Sequence, residues 1–181
     1  DISNHVIWYR GFDWISDNHI LWVHLLLNYK WFLWNFVFVE NLKETLNLGK
    51  KVSHKLNPQS IVLLQGPIGA GKTSFVQGIA QGLSISEDIT SPTFALSHHY
   101  NSGKIPLIHL DLYRLDNVSS AKEVFFSEEE EAIQRQAILV IEWPELIEPV
   151  IDNFWKIKIS YAKNYGRNYE ISDPKNLLTF S

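Results

Sequence analysis

Hydrophobic positions along this chain change their period several times, and each change marks an element. Residues 41–56 place Leu42, Thr45, Leu46, Gly49, Val52 and Leu56 near a 3.6-residue repeat, which predicts an amphipathic helix. Asn57-Pro58 ends it, because proline has no N–H to donate and restrains the residue before it. Ile61-Val62-Leu63-Leu64 is short and wholly apolar, the pattern of a strand buried on both faces. It runs into a glycine-rich turn at residues 66–73 and then a helical stretch to about Leu83. Residues 91–100 and 105–112 read as two strands joined by Asn101-Ser102-Gly103-Lys104, a loop short enough for an antiparallel hairpin. Residues 128–135 read as a helix whose opening glutamates are solvated and favoured by the helix dipole. Residues 137–141 form a second buried apolar run, and residues 155–160 and 168–172 read as edge strands. The whole predicts an α/β layer structure on a mixed sheet, without internal repeat or low-complexity tract.

The first 36 residues follow a different grammar. Five of the seven tryptophans lie there, at positions 8, 14, 22, 31 and 34. The run 20–39 is apolar enough to raise a membrane question, but His24, Asn28, Lys30 and Asn35 interrupt it, and a mid-run lysine is costly in hydrocarbon. No basic start, short apolar core and small-residue cleavage site mark a signal peptide. One reading is a helix for a membrane surface or a partner. The reading favoured here is an extension of lineage-specific origin, or upstream sequence read as protein. The expected organisation is therefore an aromatic-rich extension at 1–36 and a folded domain at 37–181, with no stable membrane association.

Composition narrows the classes. The chain has 181 residues, 45% apolar and 20% charged, which suits one globular domain with a real core. Its net charge of −4 argues against holding nucleic acid by phosphate neutralisation. Without cysteine there is no disulfide framework, thiolate nucleophile or cysteine zinc site, which fits a cytoplasmic chain. Methionine is absent even at position 1, so a fragment or a misassigned start is the expectation.

The chemistry concentrates at Gly66-Pro67-Ile68-Gly69-Ala70-Gly71-Lys72-Thr73, a full match to the phosphate-loop pattern. Glycines at 66, 69 and 71 let the backbone curl so that successive N–H groups point at phosphate oxygens. The helix that follows turns its partial positive end to the same anion. Lys72 supplies a mobile charge for the β- and γ-phosphates, and the Thr73 hydroxyl is placed to ligate Mg²⁺. The expected ligands are ATP and Mg²⁺, on Gly66, Gly69, Ala70, Gly71, Lys72, Thr73 and Ser74. Such a loop needs a carboxylate at a neighbouring strand end. Glu142 closes the apolar run 137–141, and Asp111 closes another. Glu142 is assigned to the metal, directly or through water, and Asp111 to the attacking water or the metal shell, with the roles exchangeable. Ser91-Pro92-Thr93-Phe94 stands where a switch segment often lies, so Thr93 is a candidate γ-phosphate sensor, and equally a strand entry. His98, His99 and His109 are read as structural, since adjacent strand residues face opposite ways.

Taken in order, Glu44-Thr45, Leu48-Gly49, the loop, Ser91-Pro92-Thr93-Phe94, His109-Leu110-Asp111-Leu112-Tyr113-Arg114, Ile141-Glu142-Trp143-Pro144-Glu145 and Gly166-Arg167 resemble the bacterial TsaE (YjeE) family of small ATPases. The resemblance spans roughly residues 37–172. It implies support of threonylcarbamoyl transfer to tRNA adenosine (t6A), by binding the TsaD–TsaB transferase complex and resetting it through ATP hydrolysis. It also implies Thr73 and Glu142 on Mg²⁺, a need for Asp111 in hydrolysis, and Trp143 at the nucleotide site or a partner surface. Pro67 and Ile68 depart from the family's usual acidic residue and leucine, and Val124-Phe125-Phe126-Ser127 replaces its Leu-Gly pair.

The expectation is thus a three-layer phosphate-loop NTPase-like fold, with a mixed, mainly parallel central sheet and an antiparallel hairpin. Catalysis would rest on Lys72, Asp111 and Glu142, with tRNA met only indirectly. The rivals are a small phosphotransferase, which would want more arginines and a lid, and a nucleotide-dependent scaffold with incidental hydrolysis. A GTP switch lacks its Asn-Lys-x-Asp motif here.

Overall fold

Alternation of apolar side chains along four parallel strands builds two cores, one on each face of a sheet. The computed structural model describes residues 35–174. Among them seven strands, β1 (Asn35–Val39), β2 (Ile61–Gln65), β3 (Ser97–Tyr100), β4 (Leu107–Asp111), β5 (Ile138–Glu142), β6 (Phe154–Tyr161) and β7 (Arg167–Ser172), form one sheet in the order β1-β7-β6-β2-β5-β4-β3. The centre, β6-β2-β5-β4, is parallel. Antiparallel pairs close both sides, β3 on β4 and β1-β7-β6. Val62, Leu64, Leu107, Ile138, Val140 and Ile157 point to one face. There they meet Val52 of α1 (Leu42–Ser53) and Phe75, Val76 and Ile79 of α2 (Lys72–Gly82). Leu63, Ile108, Leu110, Leu139 and Ile141 point to the other, under Ala121, Phe125 and Ala132 of α3 (Val118–Arg135). These three layers around a mixed sheet are the architecture the sequence predicts.

Helix α1 starts where its sequence says it should. Asn41 caps it, its Oδ1 accepting from Glu44 N at 3.0 Å, while Glu44 reaches back to accept from Glu40 N. Its buried face is rotated from the expected one, with Leu42 exposed and Leu48 buried. Gly49 and Gly78 let α1 and α2 lie unusually close, since a Cβ on Gly49 would stand 2.5 Å from Phe75 O and one on Gly78 would stand 2.4 Å from Leu46 O.

Four expectations are corrected. Residues 91–96 are not strand; Leu96 takes a positive φ of 66° and its N–H bonds back to Pro92 O, so β3 begins at Ser97. Helix α3 starts at Val118, capped by Asn117, ten residues before the predicted start. Its early turns bury little beyond Ala121 and Phe125, too weak a stripe to read as a period. The acidic run 128–131 therefore lies well inside the helix, and the Val124–Ser127 departure sits in continuous helix. Finally, β6 and β7 are interior strands, because β1 takes the edge beside β7.

Strand β1 takes in Asn35 and Phe36, two residues before the expected domain boundary. Residues 1–34, with the five tryptophans and most of the run that raised a membrane question, lie outside the described residues. Among the described residues no helix is long and apolar enough to cross a membrane.

Candidate active site

Strand β2 delivers the chain to the loop at the carboxyl end of the parallel strands, where ligands gather in open α/β sheets. Two glycines are set by geometry. A Cβ on Gly66 would fall 2.6 Å from Ile159 O, and Gly71, which opens α2, has φ 100°. No side chain caps this helix, so the N–H groups of its first turn are left facing the loop.

Lys72, the first residue of α2, is 5% exposed. Its Nζ donates to Gly66 O at 2.8 Å and Pro67 O at 3.1 Å and lies 4.0 Å from the centre of the Trp143 ring. Burial pulls its ammonium below the ordinary lysine range, against the opposing influence of Glu142, Asp111 and Glu145. Thr73 Oγ1 donates to Glu142 Oε1 at 2.9 Å. Glu142 closes β5 with 3% exposure and stands directly opposite Asp111 in the β4–β5 register. Asp111, 2% exposed, accepts at Oδ2 from Thr93 Oγ1 (2.6 Å) and Ser91 Oγ (3.0 Å), and at Oδ1 from Tyr113 N (3.0 Å). Thus Lys72, Thr73, Asp111, Glu142, Thr93 and Trp143, proposed from separate stretches of sequence, meet at one end of the sheet. Gly66, Gly69, Ala70, Gly71 and Ser74 form the loop and helix start around which they gather.

Trp143 follows Glu142 in the left-handed region, φ 58°, a backbone strain of about 1–3 kcal/mol for a non-glycine residue. That turn lays its ring over Lys72 and 4.9 Å from the Tyr113 ring. The β5–β2 ladder is prolonged by Trp143 N donating to Leu64 O at 3.2 Å, which ties the end of β5 to β2.

Three contributors were given no site role from sequence. Tyr161 OH donates to Ile68 O at 2.5 Å. Arg167 donates through Nε to Ala70 O (3.2 Å) and through NH2 to Gly69 O (3.4 Å), bracing the loop from β7. Its place in a Gly-Arg pair was the one available signal. The third is His109, read as structural, which is fully buried with Nε2 2.9 Å from Glu142 Oε1. The alternation that puts His109 and Asp111 on one face of β4 was that signal.

Oxygen donors from a hydroxyl and a carboxylate, 2.9 Å apart, suit a hard cation such as Mg²⁺. Among the described residues no group of three or more His, Asp or Glu is arranged to hold a metal. An ion here would need phosphate and water oxygens to complete its shell, which is the habit of Mg²⁺ with nucleotides.

A family model described as "Threonylcarbamoyl adenosine biosynthesis protein TsaE" matches residues 39–169. The "tRNA threonylcarbamoyladenosine biosynthesis protein TsaE" of Nostoc sp. is 41% identical over 138 residues, which is 75% of this chain and 84% of that protein. The protein of the same name from Synechocystis sp. is 43% identical over 112 residues, 60% of this chain and 69% of that one. The crystal structure of YdiB from Bacillus subtilis is similar in fold, with a TM-score of 0.65 at 27% identity, over 78% of this chain and 86% of that one.

Proposed function

This chain belongs to the TsaE family, and from that premise we propose that it is a Mg²⁺-dependent ATPase that supports t6A modification of tRNA by binding and resetting the TsaD–TsaB transferase complex. The observation that carries the reading is the convergence of Lys72, Thr73, Glu142 and Asp111 on a loop braced for an anion. The loop N–H groups and the α2 terminus bind the phosphates. Lys72 exchanges the carbonyls of Gly66 and Pro67 for the β- and γ-phosphate oxygens. Thr73 and Glu142 would hold Mg²⁺, which would neutralise phosphate charge. Asp111, its carboxylate fixed by Ser91, Thr93 and Tyr113, orients the water that attacks the γ-phosphorus in line with the leaving ADP oxygen. No covalent enzyme intermediate forms.

Arginine placement supports weak hydrolysis by the isolated chain. Among the described residues, Arg135 pairs with Glu131, Arg167 is spent on loop carbonyls, and Arg114 lies over the Phe94 ring. A transition-state cation would therefore come from the partner, and partner-supplied arginines are worth about 10³–10⁵ in rate elsewhere. The same scarcity counts against a phosphotransferase. The net charge of −4 leaves the tRNA to the partner complex, and the cytoplasm is the proposed compartment.

The test is Mg²⁺-dependent ATP hydrolysis by the purified chain, alone and with TsaD–TsaB, beside Glu142→Ala. The expected result is slow turnover that rises with the complex and falls by about 100-fold or more in the variant. ATP binding without response to the complex would remove the tRNA role and leave the nucleotide site.

A further inference from the structure

One oxygen of Glu142 is held by two donors of unequal permanence. Oε1 accepts from Thr73 Oγ1 and from His109 Nε2, each at 2.9 Å. On the reading above, the Thr73 hydroxyl turns to Mg²⁺ when nucleotide binds, and Oε1 loses that donor. His109 has no such alternative. Its side chain is 0% exposed, in the middle of β4 between Ile108 and Leu110, which are packed into the opposite core. The strand register sets it across from Val140, so that Glu142 is its diagonal neighbour on the same face of β5.

The second ring nitrogen sharpens the point. With a carboxylate as acceptor, Nε2 is the nitrogen that donates, and the hydrogen bond to Glu142 is made by that nitrogen alone. Among the described residues Nδ1 is buried with no hydrogen-bond partner. An imidazole used to fill this space would desolvate a polar atom for nothing, where leucine fills comparable volume without that cost. What the histidine supplies is the Nε2–H aimed at Glu142.

We propose that His109 is a positioning residue: it keeps the Glu142 carboxylate aimed at the metal position while Thr73 changes partner. The inference rests on the ATP·Mg²⁺ reading of the site. Outer-shell hydrogen bonds of this kind are worth about 10–100-fold in metal affinity. The effect belongs to the metal-dependent part of nucleotide binding and to nothing else.

The experiment measures binding of a non-hydrolysable ATP analogue to the full chain, in EDTA and across a Mg²⁺ titration. The proteins are wild type, His109→Leu, His109→Gln, His109→Asn, Glu142→Ala and the His109→Leu/Glu142→Ala pair. His109→Leu is expected to keep the EDTA affinity and to need about 10–100-fold more Mg²⁺ for its half-maximal effect. Glutamine, whose amide nitrogen reaches the Nε2 position, restores the Mg²⁺ response, and asparagine, which stops short at Nδ1, does not. In the Glu142→Ala background His109→Leu adds nothing. A wild-type Mg²⁺ response in His109→Leu overturns the proposal, as does an equal loss in EDTA or an additive loss in the double variant. Should His109→Leu fail to fold, the glutamine–asparagine comparison decides alone, and equal behaviour of those two overturns it. A wild-type Mg²⁺ response in Glu142→Ala would remove the metal reading itself, an outcome distinct from failure of His109 by itself.

Discussion

Lys72 is a cation set among backbone carbonyls and an indole ring, almost out of water. Burial lowers its folded pKa below the ordinary lysine value of 10.5, with three carboxylates pulling the other way. Between that lowered pKa and 10.5 the unfolded chain holds more protons than the native one, so this group makes stability rise with pH across the window. Below the lowered pKa both states are protonated and the penalty is constant and full. The prediction is that wild-type stability, measured relative to Lys72→Met by urea unfolding, climbs as pH is raised from the lowered pKa toward 10.5. A difference that stays flat would mean that burial does not perturb the lysine. The loop lysine, Thr73 and Glu142 were legible in sequence because each sits at a fixed offset from a motif. His109 was not, because its role depends on which strand lies beside β4, and periodicity along one strand says nothing about its neighbour.

Helices α1 and α2 meet backbone to backbone, and α2 is the helix that follows the phosphate loop. From sequence, Gly78 and Gly82 would be read as weak points in a helix, each costing about 1 kcal/mol against alanine. The packing reverses that reading. A Cβ on Gly78 would meet Leu46 O at 2.4 Å, and one on Gly82 would meet Ser53 Oγ at 1.9 Å, closer than any real contact. Gly78→Ala is therefore expected to destabilise by about 1–3 kcal/mol, the usual cost of overpacking, instead of gaining helix propensity. Because α2 carries Lys72 and Thr73, its displacement should also weaken ATP binding. Chemical denaturation and calorimetric titration check both, and an alanine variant as stable as wild type would refute the contact. Helix α3 shows the converse limit. Its eighteen residues bury only Ala121, Phe125 and Ala132, so no clear stripe announced its first ten residues.

Across the whole molecule, the loop is gripped from a strand far along the chain. Arg167 opens β7, pairs in register with Val39 of β1 and Tyr161 of β6, and donates to the carbonyls of Gly69 and Ala70. It also stacks 4.7 Å from the Tyr161 ring, and Tyr161 OH holds Ile68 O. The antiparallel flank β1-β7-β6 is thus a brace for the site as well as an extension of the sheet. Arg167→Ala should cost about 1–3 kcal/mol of stability, as for hydrogen bonds to a charged group. Hydrolysis by the chain that remains folded should also fall, by about 10–100-fold, because a misplacement of ~1 Å at reacting groups is that expensive. Arg167→Lys should not restore it, since one ammonium cannot reproduce the guanidinium fork. Unchanged turnover in a folded Arg167→Ala chain would show that the brace is dispensable.

The local pattern of the candidate site was determined by the sequence alone. The phosphate loop, its strand and helix, the acid closing β5, the hairpin and the family all follow from residues at short, fixed spacings. Such signals survive because the backbone's allowed conformations and the hydrogen-bonding needs of a phosphate act over a few residues. Tertiary structure decided the order of strands, the interior place of β6 and β7, the burial of His109 against Glu142, and the grip of Arg167 on the loop. The last two join positions between 33 and 98 residues apart. Which distant segments pair is settled by burying two apolar faces of one sheet together, a property of the folded whole.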